Sequence, residues 1–262
     1  MKNLTKIVLL IFVVFVFANN VPAQNEDPPL TPRTVRIPSG KEQPLENGVK
    51  LLKKINLANG GVSLDKLKTL RLKGRGHLIK LSGDNLNTNL YYNLTILIDL
   101  KKNRIRKEEG AGSNFFEIRQ VERESGWIFN PKQPRSISKT EQNELLKVLE
   151  TGSLGLRKNR LAEMEIFTFG ENKELNFKYL TVKTNGVKHL LGFDKNLRLL
   201  IDDYFINQEQ HEITFDDFRK IKGITFPFFE RHIIKEKESR TIKYWSIEVN
   251  PKLTEKDWAV PN

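Results

Sequence analysis

Apolar and polar positions change period several times along the chain, and each change marks an element. Leu45, Val49, Leu52 and Ile55 recur at helical spacing, and Asn59-Gly60-Gly61 supplies a left-handed stop, which predicts a first helix beginning at Leu45. A short helical turn follows from Ser63 to Lys68. The period then drops to two. Leu70, Leu72, Gly74, Gly76 and Leu78 fall on one side and Arg71, Lys73, Arg75 and His77 on the other, predicting a strand with a basic outer face. Tyr92, Leu94, Ile96, Ile98 and Leu100 alternate again, and Lys101-Lys102-Asn103 reads as a turn. Strands from Arg104 to Glu109 and from Phe115 to Val121 then complete a run of antiparallel hairpins.

Ser138-Lys139-Thr140-Glu141 is a capping box, in which the serine hydroxyl and the glutamate carboxylate each satisfy a free amide at a helix start. Leu145, Leu146 and Leu149 form the apolar stripe of that helix, and Gly152 ends it. A helical or irregular stretch runs through Leu154 to Met164. Strands follow at Glu165 to Phe169, Leu175 to Thr184, Val187 to Phe193, Leu197 to Ile206, His211 to Phe218, Ile224 to Ile234 and Thr241 to Val249. Turn residues such as Thr184-Asn185-Gly186, Asp194-Lys195-Asn196 and Lys222-Gly223 separate them, so the second half is a meander. With about ten strands to three helices, the expected class is α+β, mostly β. The architecture is a large curved antiparallel sheet forming a half-open barrel with helices packed on its concave face.

Two strands break clean alternation. Leu197, Leu199, Ile201 and Phe205 line one side of their strand while Leu200, Tyr204 and Ile206 occupy the other, and Ile242 and Tyr244 give way to Trp245, Ile247 and Val249. Such strands are covered on both sides, or bulges shift their phase, or part of the apolar surface faces a cavity.

The amino terminus has its own pattern. Lys2 and Lys6 precede an apolar run from Ile7 to Ala18, and Val21-Pro22-Ala23 then supplies small residues ahead of Gln24, the order of a secretory signal peptide cleaved after Ala23. The run falls short of the roughly 20 apolar residues of a membrane span. Residues 24–44, with Pro28-Pro29, Pro32 and Pro38, read as a flexible leader, and residues 45–262 as a single domain. The expected location is the periplasm. There are no cysteines, which excludes disulfides, thiol nucleophiles, thiolate metal sites and an amino-terminal lipidated cysteine. The net charge of +12 fits either solubility or attraction to anionic surfaces.

Enzymatic signatures are missing: no nucleophile elbow, zinc helix, phosphate loop or dinucleotide fingerprint occurs. The expectation is a non-enzyme with no catalytic residues, no cofactor and no metal. His77, His189, His211 and His232 are scattered one per strand. The pairs Asp202-Asp203 and Asp216-Asp217 point to opposite faces of a strand and so do not converge. The stripe Arg71, Lys73, Arg75 and His77 suits either water or lipid phosphates, and export argues against nucleic acid.

Phe215-Asp216-Asp217-Phe218-Arg219-Lys220-Ile221-Lys222-Gly223-Ile224-Thr225-Phe226-Pro227-Phe228 is followed, two strands later, by Val249-Asn250-Pro251 and Asp257-Trp258-Ala259-Val260-Pro261. This resembles the periplasmic outer-membrane lipoprotein-sorting superfamily, the LolA/LolB-like proteins. Leu57-Ala58-Asn59-Gly60-Gly61, the strand Leu70 to Gly76, and Gly126-Trp127-Ile128-Phe129-Asn130-Pro131 are similar to other parts of that group. The resemblance implies a half-open barrel of about eleven strands with helices as a lid over an apolar cavity that holds acyl chains. It does not place the carriers' characteristic cavity arginine on any one residue. What it implies is a periplasmic carrier or binder of lipid or lipoprotein acyl chains. The alternative is an envelope interaction or stress-sensing module of the same fold with no lipid cargo. On the carrier reading Trp127, Phe129, Leu145, Leu149, Phe205 and Tyr244 are the expected ligand-binding residues of wall or lid. Its partners are a lipid or lipoprotein acyl chain and an envelope membrane protein, with peripheral membrane contact allowed. An open apolar pocket of several hundred cubic ångströms would suit the carrier, as ligand sites span roughly 300–1,000 Å³.

Overall fold

A computed structural model describes residues 41–42, 45–81, 87–111, 115–123, 125–130, 134–173, 176–206, 209–235 and 237–259. The expected signal peptide and most of the expected leader lie outside the described residues. In chain order the elements are β1 (Lys41–Glu42), α1 (Leu45–Ala58), α2 (Val62–Asp65), β2 (Thr69–Leu81), β3 (Asn87–Asp99), β4 (Arg104–Ala111), β5 (Phe115–Glu122), β6 (Ser125–Phe129) and β7 (Arg135–Ser136). Next come α3 (Lys139–Leu146), a 3-10 turn (Lys147–Leu149), α4 (Gly152–Gly155) and α5 (Lys158–Ala162). The chain continues through β8 (Glu165–Asn172), β9 (Phe177–Thr184), β10 (Val187–Phe193), β11 (Leu199–Ile206), β12 (Glu209–Ile221), β13 (Ile224–Ile234) and β14 (Lys237–Val249), then a 3-10 turn (Glu255–Trp258).

All fourteen strands join one antiparallel sheet in the order β1-β8-β9-β10-β11-β12-β13-β14-β2-β3-β4-β5-β6-β7. Two meanders, β2 to β7 and β8 to β14, are welded by pairing the last strand, β14, with β2. The sheet does not close. Its edges are two-residue strands, and so short an edge offers little template for pairing with another chain. Lys41 and Glu42, expected in the leader, form one of those edges against Glu171 and Gly170.

The helices share one face of the sheet. α1 packs on β8, α3 on β4 and β5, and α4 on β11 and β13. The core lies between, one cluster that includes Leu51, Leu52 and Ile55 of α1 together with inward residues such as Leu70, Ile98, Leu180, Phe193 and Ile213. Leu52 and Ile55 of the expected stripe are buried, but Val49 is 51% exposed; the buried face runs through Gly48, Leu51, Leu52, Ile55 and Asn56. Two buried asparagines tie α1 down. Asn56 Nδ2 donates to Leu156 O at 3.0 Å and Asn59 Nδ2 to Leu197 O at 2.8 Å.

Bulges explain the doubly apolar strands. In β14 the register slips between Tyr244 and Ser246, so Ile242, Tyr244, Ile247 and Val249 all face the helices while Trp245 does not. In β10 a slip at Gly192/Phe193 lets Phe193 meet Leu199. Glycines opposite large rings add curvature space: a Cβ on Gly76 would sit 2.0 Å from the Tyr92 ring, and one on Gly170 would sit 2.1 Å from Tyr179.

The carboxyl end straps the outer face. Asn250, at φ 54°, accepts the amides of Lys68 and Thr69 through Oδ1. Trp258 is buried beneath the Arg104 guanidinium, which lies 4.9 Å from its ring centroid and pairs with Glu122 and Glu255. Arg106 donates to Ala259 O at 2.6 Å.

Candidate functional site

Directly opposite residues of antiparallel strands share a face, so the pairing defines what looks toward the helices. One row runs Ile247, Leu72, Ile96, Lys107 and Arg119 across β14, β2, β3, β4 and β5. Another runs Glu230 and Ile242, and a third His232 and Arg240, across β13 and β14. Between these rows and the segment from α3 through α4 lies a cavity of about 170 Å³. Its lining is mixed: Leu70, Leu72, Ile98, Phe226, Ile242 and Ile247 are apolar, and Lys107, Arg119, Glu230, His232 and Arg240 are polar or charged; Glu144, Leu145, Val148 and Leu154 form the roof.

The charged lining residues form a partly buried network. Lys107 Nζ lies 2.7 Å from Glu109 Oε1, Arg240 Nη1 4.0 Å from the same oxygen, and His232 Nε2 3.4 Å from Glu230 Oε2. Arg119 Nε bonds Glu117 at 2.6 Å. Burial and the neighbouring Arg240 push Lys107 down to about 8. Burial opposes ionisation of Glu109, yet Lys107 outweighs it and holds the carboxyl below its usual range. Burial, reinforced by Arg240, pushes His232 down to about 4. Tyr92 is pushed up to about 12 by burial. Taking the buried pair Lys107 and Glu109 out of water costs several kcal/mol per ion, and apolar replacements often match or exceed the stability of a buried ion pair. Clusters of displaced pKa values in a cleft mark functional sites.

Beside this cavity a second polar group sits on the same face. His189 Nδ1 lies 2.7 Å from Asp202 Oδ1, with both residues buried. Lys147 Nζ lies 4.6 Å from the Tyr204 ring centroid, and His211 stacks on the Tyr204 ring at 5.5 Å between centroids. Burial lowers both Lys147 and His211 below their ordinary values. Asp203 turns to the opposite face, where it accepts from Gln210, as period two requires. No group of three or more His, Cys, Asp or Glu side chains is placed to hold a metal among the described residues.

Of the residues expected in wall or lid, Leu145 and Tyr244 line the cavity. Leu149 is buried in the core beside it. Trp127 lies on the outer face, 5.7 Å from the Arg106 guanidinium, and Phe129 shares that face two residues on. Phe205 is 61% exposed and also faces outward. The structure therefore does not bring Trp127, Phe129 or Phe205 to the cavity. Conversely, the sequence pattern singled out none of Lys107, Arg119, Glu230 and Arg240, and it left His232 as one of four scattered histidines. The register supplies the missing signal: His232 and Arg240 are direct cross-strand partners, which only pairing reveals.

No protein-family model and no curated protein sequence matches the chain. Solved structures do match. A LolA superfamily protein, NE2245 from Nitrosomonas europaea, superposes with a TM-score of 0.55 at 14% identity, covering 80% of this chain and 96% of that one. The fold is LolA-like. A DUF1329 family protein from Desulfovibrio piger shares it, with a TM-score of 0.57 at 11% identity over 83% of this chain and 98% of its own. Against a LolA-like frame, the cavity described above lies where the open sheet meets its helical cover. No described helix is long and apolar enough to cross a membrane.

Proposed function

We propose that the chain is a periplasmic, non-enzymatic binder or carrier of lipid or lipoprotein acyl chains. The observation that carries this reading is a cavity lined by both apolar and charged residues, roofed by short helical pieces on an open sheet. An acyl chain laid against the apolar residues gains about 0.8 kcal/mol for each methylene removed from water, while the charged residues hold a polar head or the water around it. At about 170 Å³ the cavity is smaller than the usual ligand site of roughly 300 Å³ or more. Full occupancy therefore requires α3 and the turn after it to lift. Their cohesion is modest: α3 buries only Gln142 and Leu145, and Gln142 Nε2 donates to Arg123 O. The signal-like amino terminus supports export.

Mass spectrometry of organic extracts from gently purified protein tests the reading. Co-purifying lipid, and uptake of a fluorescent fatty acid by stripped protein, are the expected results; reproducibly empty protein that takes up none would overturn it. The small volume and the ion network favour the second reading, an envelope interaction or stress-sensing module of the same fold. Empty protein together with a specific envelope partner in crosslinking pull-downs would establish that one.

A further inference from the structure

The outer face of β3, β2 and β14 carries a block of register positions without a single carboxylate. Its rows are Tyr91, His77 and Thr241; Asn93, Arg75 and Lys243; and Thr95, Lys73 and Ser246. Lys73, Arg75 and Lys243 are all exposed. Arg75 and Lys243 are direct cross-strand partners, an arrangement in which like charges destabilise the sheet. Arg71, two residues before Lys73, by contrast pairs with Glu248 and Asp257. Neither Lys73 nor Arg75 forms an ion pair among the described residues.

Two exposed aromatics flank these cations. The β14 bulge leaves Trp245 unpaired and 56% exposed in the middle of a long sheet, and Tyr91 is 60% exposed with one ring face stacked on His77 at 4.3 Å. Bulges re-aim side chains. Exposed tryptophan and tyrosine beside lysine and arginine match the chemistry of a bilayer interface, where rings sit at headgroup depth and cations meet anionic lipid phosphates. A single-stranded nucleic acid instead needs a groove with free stacking platforms, and this surface is an open sheet face with one ring already covered.

We propose that this face docks the protein on an anionic membrane surface, through Lys73, Arg75 and Lys243 on lipid phosphates and Trp245 and Tyr91 in the headgroup layer. The surface is opposite the cavity and independent of whatever the cavity holds. Docking removes the repulsion between Arg75 and Lys243 and is weakened by salt, because exposed charges are screened beyond about 10 Å at 0.1 M.

Co-sedimentation of the purified protein with vesicles of phosphatidylglycerol in phosphatidylcholine, compared with phosphatidylcholine alone, tests it. The expected result is salt-sensitive binding to the anionic vesicles only. It should fall on the order of 100-fold in the triple variant Lys73→Ser, Arg75→Ser, Lys243→Ser. That variant should melt no lower than the parent, which separates lost docking from lost folding. Brominated lipid should quench tryptophan emission in the parent and not in Trp245→Phe. Equal binding to neutral vesicles, or undiminished binding by the triple variant, would overturn the proposal. So would tight capture by heparin or DNA with no quenching of Trp245 by anionic vesicles, which would mark a polyanion site instead.

Discussion

His232 shows how a single side chain reports on the cavity. Its pKa is pushed from 6.5 to about 4, first by burial and then by Arg240. Between those values the unfolded chain binds a proton that the folded chain refuses, so acidification through this window favours unfolding. Stability should therefore decline as the pH falls from 6.5 toward 4. Replacing His232 by glutamine should flatten that part of the profile, measured by urea denaturation at each pH; an unchanged slope would show that other groups set it. Gly76 tests the packing above the same site. A methyl group there would sit 2.0 Å from the Tyr92 ring, and Tyr92 in turn bonds Arg240 and Glu109. Gly76→Ala should cost about 1–3 kcal/mol, as overpacking does, and a Tm equal to the parent's would contradict the contact. Neither role was legible in the sequence. Lone histidines on different strands carry no sign of convergence, and alternating glycine with leucine in β2 says nothing of the ring lying across it.

Elements were far easier to read than contacts. The capping box at Ser138 forms as its spacing requires: Glu141 N donates to Ser138 Oγ at 3.3 Å and Ser138 N to Glu141 Oε2 at 3.0 Å. Arg135 adds a bidentate clamp on the same carboxylate, which holds Glu141 well below the usual carboxylate range. Strands β10 and β13 begin and end where the alternation and the turn residues put them, because period two and a preceding Asn-Gly or Lys-Gly are local signals. The edge strands β1 and β7 were missed, since two residues carry no period. Val49 was misplaced because spacings of three and four fit more than one face of a helix; which face is buried depends on β8 beneath it. Ser138→Ala should lower stability by about 1 kcal/mol and speed amide exchange across residues 139–149 while leaving β2 and β14 protected. Exchange that rose equally throughout would show that α3 is no separate cover.

For the whole molecule, fold and site stand in different relations to the sequence. The LolA-like frame was legible because its marks are turns and caps: Asn250 ties β14 to β2, and Trp258 locks the carboxyl strap onto Arg104. The cavity was half legible. Leu145 and Tyr244 followed from apolar periodicity, but its charged wall is assembled from four strands and needed the weld between β14 and β2, a pairing across nearly the full length of the domain. Trp127, Phe129 and Phe205 were drawn in by their size alone, and size does not reveal a face. The two surfaces of the sheet thus divide the work proposed for them, the inner one holding an amphiphile and the outer one meeting a membrane. Photo-crosslinking with a diazirine-bearing fatty acid, followed by peptide mapping, tests the central claim most directly. Labels should fall on the peptides holding Leu145 and Val148 and on those holding Ile242 and Tyr244, and excess unlabelled fatty acid should compete them away. Labelling confined to the outer-face residues Tyr91 and Trp245, or spread without competition, would contradict an acyl chain in the cavity.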